Sequence, residues 1–533
     1  MHLSRTALLA DLYQLANLLT ESHPDPYSNC GGPLAFRRHV AQLASAIPDS
    51  GMKTTSFLRL LRPLVASLRD GHTNFIEPSA EKPSARFWLE WNIVEKQLYI
   101  AQVYRSEDRT LLGARLQAIN EVSFAELLER IIQFHGFDNE YGQLVYLSHL
   151  LTNPQLLCDL LQLETAPLSL HFQLLLPDGV SQIVTLSAAE QQPGEPIEPA
   201  SSIPMPYINT AQMGWSFLDK QHTTAYLRID SLLYYREAFE LAFARGNTGY
   251  LQRHLSKASG DILEETLPEN PQERIALIPS ATDLLRDLFS SMREARTSYL
   301  VVDLRFCRGG NSTFGWILDY FLYGLQDSIA HFDDGYQIKR YSAHYFHVNS
   351  KLSPEEEQYQ QALRNGGYDF TEEEAWLRRQ HKGQSAEEKA QLQQTLETYS
   401  AMIPTFEQEY RSRRWETSWT PKTIVLMAAQ TYSSGFDILV DLFQHGATLF
   451  GVPSAQAGNC FIDILNFTLT HSQLEGYLSF KRSFLFPTDP ERGNLLQPDY
   501  VLTYKYLAAH HFDPHATVRL ALETYPSLIN HST

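Results

Sequence analysis

The chain has 533 residues, of which 43% are hydrophobic and 20% charged, and its formal net charge is −18. This composition excludes a disordered or collagen-like chain, and the length predicts two or three domains, because a single core stops growing at about 250–300 residues. The negative charge, with no offsetting run of lysine and arginine, disfavours nucleic acid as a partner.

The amino-terminal segment predicts a helical cap over residues 1–85. Leu8, Leu12 and Leu15 recur at helical spacing, and Asp11 interrupts the apolar run that a signal peptide would need. No run of 18 apolar residues predicts a membrane span, and the four cysteines form no C-x-x-C pair. We therefore expect a cytoplasmic protein, or a periplasmic or secreted one if a leader has been removed.

The next two segments differ in composition. Residues 86–186 contain short alternating runs that predict a small β-rich region, including two strands joined by a turn at Pro177-Asp178-Gly179. Residues 187–206 are the most proline-rich stretch and can hold neither a helix nor a central strand. They predict a linker.

Residues 207–533 predict an α/β domain. Buried apolar runs (TAYLRI, YLVVDLRF, TIVLMAA) alternate with helical segments, which indicates a βαβ sheet with mostly parallel order. Within this domain, residues 350–418 are charged and helix-prone, so they are expected to be an inserted, solvated helical hairpin. A role for the insertion as a lid is the alternative.

The first candidate for chemistry is the serine turn after the strand TIVLMAA. The strand runs into Thr431-Tyr432-Ser433-Ser434 and then an amphipathic helix, so a serine hydroxyl is presented at the sheet edge. The first amides of that helix lack intrahelical acceptors and can stabilise the oxyanion of an acyl-transfer reaction. The alternative is a serine N-cap that satisfies the same amides.

Two further segments complete the set. The strand YLVVDLRF is followed by Gly309-Gly310, where paired glycines allow a close approach of backbone amides, and either glycine could supply a second oxyanion donor. Asp303 and Arg305 on that strand are expected to form a structural ion pair. His72 follows a turn at Asp70-Gly71 and is an accessible candidate base, although a lone loop histidine is usually incidental.

Together and in this order, the three segments resemble motifs of the tail-specific, or C-terminal-processing, serine peptidases and of the tricorn protease core. The matching residues are Asp70-Gly71-His72-Thr73, Asp303-Leu304-Arg305 with Gly309-Gly310, Thr431-Tyr432-Ser433, and a terminal Pro498-Asp499. The resemblance implies a sheet of the ClpP/crotonase type in the catalytic domain. The string GARLQAINEVSFAELLERI more weakly resembles the family's PDZ-like region, which would assign residues 86–186 to it.

The resemblance also implies roles for individual residues. The Thr-x-Ser spacing selects Ser433 as nucleophile and leaves Ser434 to donate an amide, with Ser434 as the alternate nucleophile. The lysine of the family's Ser/Lys dyad is replaced, with Asn459 where it would fall, so His72 takes the base role as in the tricorn arrangement. Glu491 is the nearest fit for the assisting carboxylate, with a solvated loop glutamate as the alternative. Lys481 could serve as a base only if the chain folded back.

Three departures from the family pattern keep rival functions open. Phe436 stands where the family has glutamate, unless Asp437 replaces it, Cys307 stands at a usual asparagine, and Asn459 stands where the dyad lysine would fall. The predicted function is a serine peptidase with a peptide or protein substrate and no cofactor or metal. The alternatives are a catalytically silent peptide- or ligand-binding protein on the same scaffold and a non-peptidase acyl hydrolase. A homo-oligomer is left open.

Overall fold

The structure is a computed structural model that describes residues 1–76, 85–260, 268–330, 335–349, 352–372, 374, 386–412, 415 and 420–525. Parts of the predicted insertion 350–418 lie outside these residues. The fold is mixed α/β with several sheets, as the predicted α/β class requires.

The amino-terminal region is built mainly from helices. Its elements are β1 (His2–Leu3), α1 (Arg5–Ser22), α2 (Pro33–Ala46), β2 (Met52–Lys53), α3 (Thr54–Ala66) and β3 (Asn74–Phe75). Leu8, Leu12, Leu15 and Leu19 of α1 are fully buried, because spacings of three and four residues place them on one face of the helix. Ser4 begins that helix by accepting a hydrogen bond from the Ala7 amide.

The second region contains an antiparallel sheet and three helices. Its elements are β4 (Leu89–Val94), β5 (Gln97–Val103), β6 (Arg115–Ile119), β7 (Val122–Ser123), α4 (Phe124–Ile131), α5 (Glu140–Leu150), α6 (Pro154–Leu161), β8 (Ser169–Leu175) and β9 (Ser181–Ser187). The strand order is β4-β5-β6-β8-β9, and β7 pairs with β6. The predicted hairpin between β8 and β9 is confirmed, with Gly179 at φ 88° in its turn. Residues 188–212 then form no helix or strand and make only isolated bridges, of Ala189 with Arg86 and of Ile197 with Val103.

The rest of the chain forms two sheets with helices around them. Its elements are β10 (Met213–Phe217), β11 (Thr224–Ile229), α7 (Arg236–Ala244), α8 (Thr248–Gly260), α9 (Pro271–Ala276), α10 (Ala281–Ala295), β12 (Tyr299–Asp303), α11 (Thr313–Ala330), β13 (Tyr336–Lys339), α12 (Ala343–Val348), α13 (Pro354–Arg364), α14 (Ala386–Ala401), α15 (Pro404–Ser412), β14 (Lys422–Met427), α16 (Ser434–Gln444), β15 (Thr448–Gly451), β16 (Phe461–Thr468), β17 (Glu475–Phe484), α17 (Pro490–Asn494), β18 (Tyr500–Val501), α18 (Tyr504–Ala509) and α19 (Ala516–Thr524).

The larger of these sheets has the predicted, mostly parallel order. Its strands run β10-β11-β12-β14-β15-β18; β10 is antiparallel to β11, and the other pairs are parallel. The side chains of Val301, Val302, Ile424 and Val425 are fully buried in the two central strands, which explains their continuous apolar sequence. Because carboxyl ends of neighbouring parallel strands lie at one edge of a sheet, the loops that follow β12 and β14 meet.

The smaller sheet brings the amino-terminal region to that edge. Its order is β13-β17-β16, and β3 pairs with β17 through Phe75 opposite Gly476 and Asn74 opposite Tyr477. The loop that carries His72 directly precedes β3, so this pairing fixes the loop against residues 400 positions away in sequence. Among the described helices, none is both long and apolar enough to cross a membrane.

Candidate active site

The serine turn after β14 is held by backbone and buried polar contacts. The Thr431 hydroxyl donates to the Leu304 carbonyl at 2.8 Å and accepts from the Ala428 amide at 3.1 Å. The Tyr432 amide donates to the Cys307 carbonyl at 3.0 Å. These contacts fasten the turn to the loop that follows β12.

Ser433 occupies a strained backbone conformation at the tip of this turn. Its φ is 53° and its ψ is −132°, a region that non-glycine residues rarely adopt and that costs about 1–3 kcal/mol. The Ser433 amide donates to Oε1 of Gln456, a side chain that is only 2% exposed. The strain and the buried acceptor together fix the direction of the serine side chain.

The two serines of the turn differ in their contacts. The Ser434 hydroxyl is buried, donates to the Gly310 carbonyl at 3.1 Å and lies 2.9 Å from the Ser312 hydroxyl. The Ser433 side chain is partly exposed, and its hydroxyl has no hydrogen-bond partner among the described residues. The geometry therefore favours Ser433 over Ser434 as a reactive hydroxyl.

The glycine pair after β12 lies directly against Ser433. A Cβ placed on Gly309, at φ 93°, would stand 2.6 Å from the Ser433 Cβ, so only glycine permits this approach. Burial raises the pKa of the Cys307 thiol to about 12, against a hydrogen bond from the Gly309 backbone. Within the described chain, the amides of Gly310 and Ser434 donate to no protein acceptor.

The loop that carries His72 is built around a buried carboxylate. Asp70 accepts hydrogen bonds from the His72 amide at 2.7 Å, from His23 Nε2 at 3.1 Å and from the Thr73 hydroxyl. Burial alone would raise the pKa of Asp70, but the hydrogen bond and charge of His23, with His72 nearby, lower it to about 2. The Ser479 amide of β17 donates to the Thr73 hydroxyl at 2.9 Å, which ties this loop to the smaller sheet.

The His72 ring lies beside the serine turn. It stacks on the ring of Tyr432 with a centroid separation of 5.0 Å and an interplanar angle of 27°, and its Nδ1 is 3.4 Å from the Tyr432 hydroxyl. Because Tyr432 precedes Ser433, the predicted base and nucleophile are brought to the same place. No hydrogen bond joins His72 to the Ser433 hydroxyl in the described structure.

Asp138, which the sequence did not single out, places a carboxylate oxygen within 4.8 Å of a His72 ring nitrogen. It precedes α5 and accepts from the Gly71 amide at 3.0 Å and from the Tyr432 hydroxyl at 3.2 Å. Burial raises the pKa of Asp138 to about 6, against the lowering effect of His72. Burial and the Asp138 charge also raise the pKa of Tyr432, so its hydroxyl stays protonated.

Asp70, His72 and Asp138 offer ligand atoms that all lie within 4.8 Å of one another. Such a group can hold a cation, although the Asp70 carboxylate already accepts three hydrogen bonds. The same three side chains equally suit a hydrogen-bonded base, so the geometry alone permits both uses.

Three residues considered for the site from the sequence make no described contact with Ser433 or His72. Glu491 is exposed in the first turn of the short helix α17 and makes no described hydrogen bond or ion pair with His72. Lys481 pairs with Asp463 at 2.5 Å. Asn459 binds the backbone of Phe486 through both ends of its side-chain amide.

The other departures have structural explanations. Phe436 is fully buried in the core that supports α16. Cys307 is buried against Gly435, where a Cβ would stand 2.8 Å from the cysteine sulfur. Asp437 is exposed on the first turn of α16.

Sequence reasoning missed Asp138, Gln456 and His23. His23 is fully buried and holds Asp70, and it stands in the segment Ser22-His23-Pro24-Asp25, which carries no recognisable site pattern. The one usable signal for Asp138 was its position before Asn139, which caps α5 by accepting from the Tyr141 amide at 3.0 Å. Helix amino termini are frequent sites of functional carboxylates, but that pattern is common.

No protein-family model matches the sequence, and no curated protein sequence matches it. Among solved structures, the chain is similar to mature CPAF, with a TM-score of 0.57 and 12% identity over 99% of both chains. It is also similar to mature CPAF complexed with lactacystin, with a TM-score of 0.56 and 13% identity over 99% of both chains. A weaker likeness, with a TM-score of 0.41 and 11% identity over 95% of both chains, is to the photosystem II D1 C-terminal processing protease.

The predicted resemblance to the tail-specific peptidases is thereby confirmed at the level of the fold. This chain has the fold of CPAF along nearly its whole length. At such low identity the likeness leaves the chemistry to be argued from the residues of the site.

Proposed function

We propose that this chain is a serine peptidase that hydrolyses peptide bonds through an acyl-enzyme, with Ser433 as nucleophile and His72 as base. The observation that carries the proposal is the free Ser433 hydroxyl on a strained turn, between the Gly309-Gly310 loop and the His72 ring. A nucleophile, a base and backbone donors that meet in this way define an acyl-transfer site. The shared fold with CPAF supports the same conclusion.

The base is oriented by Tyr432 and Asp138. With a proton on Nδ1, His72 donates to the Tyr432 hydroxyl, which donates in turn to Asp138, and Nε2 is left to accept the serine proton. The Asp138 carboxylate stabilises the imidazolium that forms, which is the part an aspartate plays in a serine triad. Asp138 therefore takes the assisting role that the sequence assigned to Glu491, and the Glu491 assignment stays a prediction.

The reaction then follows two balanced steps. Ser433 Oγ attacks the scissile carbonyl while His72 takes its proton, and the tetrahedral intermediate collapses when that proton passes to the leaving amine. Water next attacks the acyl-enzyme, gives its proton to His72 and releases the acid, and Ser433 recovers its proton. In this mechanism the hydrogen bond between the Ser433 hydroxyl and His72 forms in the complex with substrate, where catalytic hydrogen bonds commonly tighten.

The oxyanion is stabilised by the amides of Ser434 and Gly310. Both lack protein acceptors in the described chain, and the Ser434 amide opens α16, where the helix dipole favours negative charge. Of the two predicted glycine donors, Gly309 is the weaker candidate, because its backbone hydrogen-bonds to Cys307. Its role is to let the loop approach Ser433.

A serine-directed fluorophosphonate probe tests the nucleophile. We expect stoichiometric labelling of Ser433, located by peptide mass spectrometry, no labelling in Ser433→Ala, and retained labelling in Ser434→Ala. Absence of labelling in the wild-type chain would favour the silent binding protein. Labelling with hydrolysis of small esters but not of peptides would favour the acyl hydrolase.

The same assay separates the two uses of the Asp70, His72 and Asp138 group. A base relay predicts that dialysis against EDTA leaves the labelling rate unchanged. Loss of labelling that Zn²⁺ or Mn²⁺ restores would instead assign a catalytic cation to this group.

The predicted organisation into regions is part of the proposal. The six-stranded sheet of order β4-β5-β6-β8-β9, with β7 beside β6, supports with its helices a PDZ-like region over 86–186. The mostly parallel order of the larger sheet supports a ClpP/crotonase-type catalytic domain after the linker 187–206. Asp138 would then be a residue of the PDZ-like region that completes the catalytic site.

A further inference from the structure

A cavity of about 230 Å³ opens beside the base of the proposed site. Gly71, Asp138 and Tyr432 form one wall of it, so any group bound there lies next to the catalytic residues. The volume is smaller than the roughly 300–1,000 Å³ typical of small-molecule pockets, which suits a single side chain of a larger substrate.

Several other residues of the cavity lining are apolar or uncharged. They are Phe137, Val145 and Tyr146, together with His135, whose ring stacks on Phe137 at 5.0 Å. Burial lowers the pKa of His135 to about 4, so this ring is neutral at ordinary pH. These residues therefore favour an aliphatic or aromatic side chain.

Arg308 is the one lysine or arginine among the described residues that line the cavity. Arg308 donates to Gln430 Oε1 at 3.2 Å and lies 3.3 Å from His149 Nε2. Gln430 is neutral, and burial and the Arg308 charge lower the pKa of His149, which favours its neutral ring. In a chain of net charge −18, no described carboxylate forms an ion pair with Arg308.

The guanidinium is thus held in place without its usual partner. Arginine has five N–H donors whose geometry suits bidentate binding of a carboxylate. The contacts with Gln430 and His149 use only some of the five donors of Arg308. Arg308 also precedes Gly309 and Gly310, the loop against which the reacting carbonyl would rest. A carboxylate bound to it belongs to a residue close to the scissile bond.

A second cavity, which adjoins Ser434, has an acidic lining and no basic side chain among the described residues that line it. It has a volume of about 490 Å³ and is lined by Ser434 together with Asp319, Asp437 and Asp441. Burial and the neighbouring Asp441 raise the pKa of Asp319 well above its ordinary value, and desolvation raises the pKa of Asp437 to about 7, so these acids do not all carry a charge at neutral pH. The 230 Å³ cavity contains one carboxylate of its own, Asp138, but it also has the fixed positive charge of Arg308, which attracts a substrate carboxylate.

We propose that the 230 Å³ cavity is a substrate subsite for an apolar side chain accompanied by a carboxylate, and that Arg308 recognises the carboxylate. The proposal rests on the peptidase function proposed above. The carboxylate has two sources: an aspartate or glutamate beside the apolar residue, or the free carboxyl terminus of the substrate.

The first experiment measures peptide binding to the Ser433→Ala variant, so that it reads the subsite without catalysis. Fluorescent ten-residue peptides contain Leu or Phe followed by Asp or by Asn, each with a free or an amidated carboxyl terminus. We expect peptides with the preferred carboxylate to bind about tenfold more tightly than their amide counterparts, as for one charge-assisted contact. Adding Arg308→Gln should abolish that difference, whereas adding Arg109→Gln, at an exposed arginine of the second region, should leave it intact.

For either apolar residue, the set of four peptides separates the two sources of the carboxylate. A preference for Asp over Asn in amidated peptides identifies an acidic side chain, and a preference for the free terminus in Asn peptides identifies the substrate end. Equal binding of all four peptides, or the same preference in Arg308→Gln, would overturn the proposal.

The second experiment measures cleavage of a peptide library by the active protein. Arg308→Gln should raise KM for carboxylate-bearing peptides about tenfold with little change in kcat, and Arg308→Glu should shift cleavage toward sites with a basic residue at that position. Unchanged site preference in Arg308→Glu would overturn the proposal. Failure of the fluorophosphonate to label Ser433 would instead reject the peptidase function. In that case the peptide-binding experiment on Ser433→Ala would still decide whether Arg308 recognises a carboxylate.

Discussion

The two halves of the candidate site are assembled in different ways. The serine half, Ser433 with the Gly309-Gly310 loop, is formed by two adjacent strands of one sheet and is held by backbone contacts. The base half joins Asp70 and His72 from the amino-terminal region with Asp138 from the second region, through side-chain contacts. The first half follows from the local sequence, and the second follows from how distant segments pack.

The difference has an energetic counterpart. The serine half stores strain, because Ser433 adopts a positive φ, and it is tightly packed, because a Cβ on Gly309 would stand 2.6 Å from the Ser433 Cβ. The base half buries charge, because the Asp70 carboxylate is fully enclosed and the pKa of Asp138 is raised to about 6. Substitutions in the serine half should therefore act through shape, and those in the base half through charge and pH.

The largest effect is expected at Ser433. Ser433→Ala should lower kcat/KM for peptide cleavage by at least about 10⁴-fold with an unchanged melting temperature. Ser433→Gly should be equally inactive but more stable by about 1 kcal/mol, since glycine adopts positive φ without strain. Denaturant unfolding of the two variants measures this difference directly. A glycine variant no more stable than the alanine variant would mean that the turn stores no strain.

Asp138→Asn tests the charge of the base half. It should lower kcat/KM at pH 8 by about 10³-fold, because the relay through Tyr432 loses its anion. The free energy of unfolding of Asp138→Asn should exceed that of the wild type at the same pH. The folded pKa of Asp138 is about 6 and its ordinary value is 3.8, so the wild-type fold loses stability as pH rises between these two values. The variant has no carboxyl group at this position and does not lose that stability. Wild-type kcat/KM should fall as pH drops through about 6.

Glu491→Gln is the matched control for Asp138. We expect kcat/KM to change less than about threefold, as for exposed surface substitutions, since no described contact joins Glu491 to His72. The opposite ranking of the two variants would return the assisting role to Glu491.

This contrast also explains how much the sequence could reveal. The apolar runs at β11, β12 and β14 predicted a parallel sheet correctly, because fully buried strands need continuous apolar residues. The pairing of Asp303 with Arg305, at 2.8 Å, was also predictable from their spacing on one strand. His72 and Ser433 were identified by motif, and the structure brings their segments together.

The remaining site residues could not be predicted for a physical reason. Asp138 reaches His72 only because α5 packs against the loop that follows β15, where the Asn139 side chain donates to the Ser454 carbonyl at 3.1 Å. Gln456 reaches the Ser433 amide through the same loop. Neither contact has a period or spacing in the sequence, since each depends on the docking of separately formed elements.

Gly309→Ala is expected to have an intermediate effect in the serine half. The new Cβ would lie 2.6 Å from the Ser433 Cβ, so the Gly309-Gly310 loop must move. This movement also displaces the Gly310 amide, one of the proposed oxyanion donors. Loss of one such donor costs about 10²–10³-fold in kcat. Gly179→Ala is the matched control, because Gly179 has φ 88° but open space around it. It should share the backbone cost of about 1–2 kcal/mol and keep full activity. Equal activity in the two variants would show that contact with Ser433 does not matter.

Among the substitutions of residues in contact with the site, controls aside, the smallest effect is expected at Gln456, where the serine half meets the loop that supports the base half. Gln456→Met keeps the length of the side chain but leaves the Ser433 amide without its acceptor, which should cost about 1–3 kcal/mol of stability. Acylation by the fluorophosphonate should slow about tenfold, since raising the activation free energy by about 1.4 kcal/mol, through a misplaced Ser433, lowers the rate by a factor of ten.

Gln456→Glu retains an acceptor at the same place and separates the hydrogen bond from the charge. It should preserve the stability that Gln456→Met loses. Its acylation should slow as pH rises and the new carboxylate ionises, because a negative charge beside the oxyanion opposes the charge that develops there. If Gln456→Met labels and unfolds like the wild type, the backbone turn alone positions Ser433, and the serine half is independent of the loop after β15.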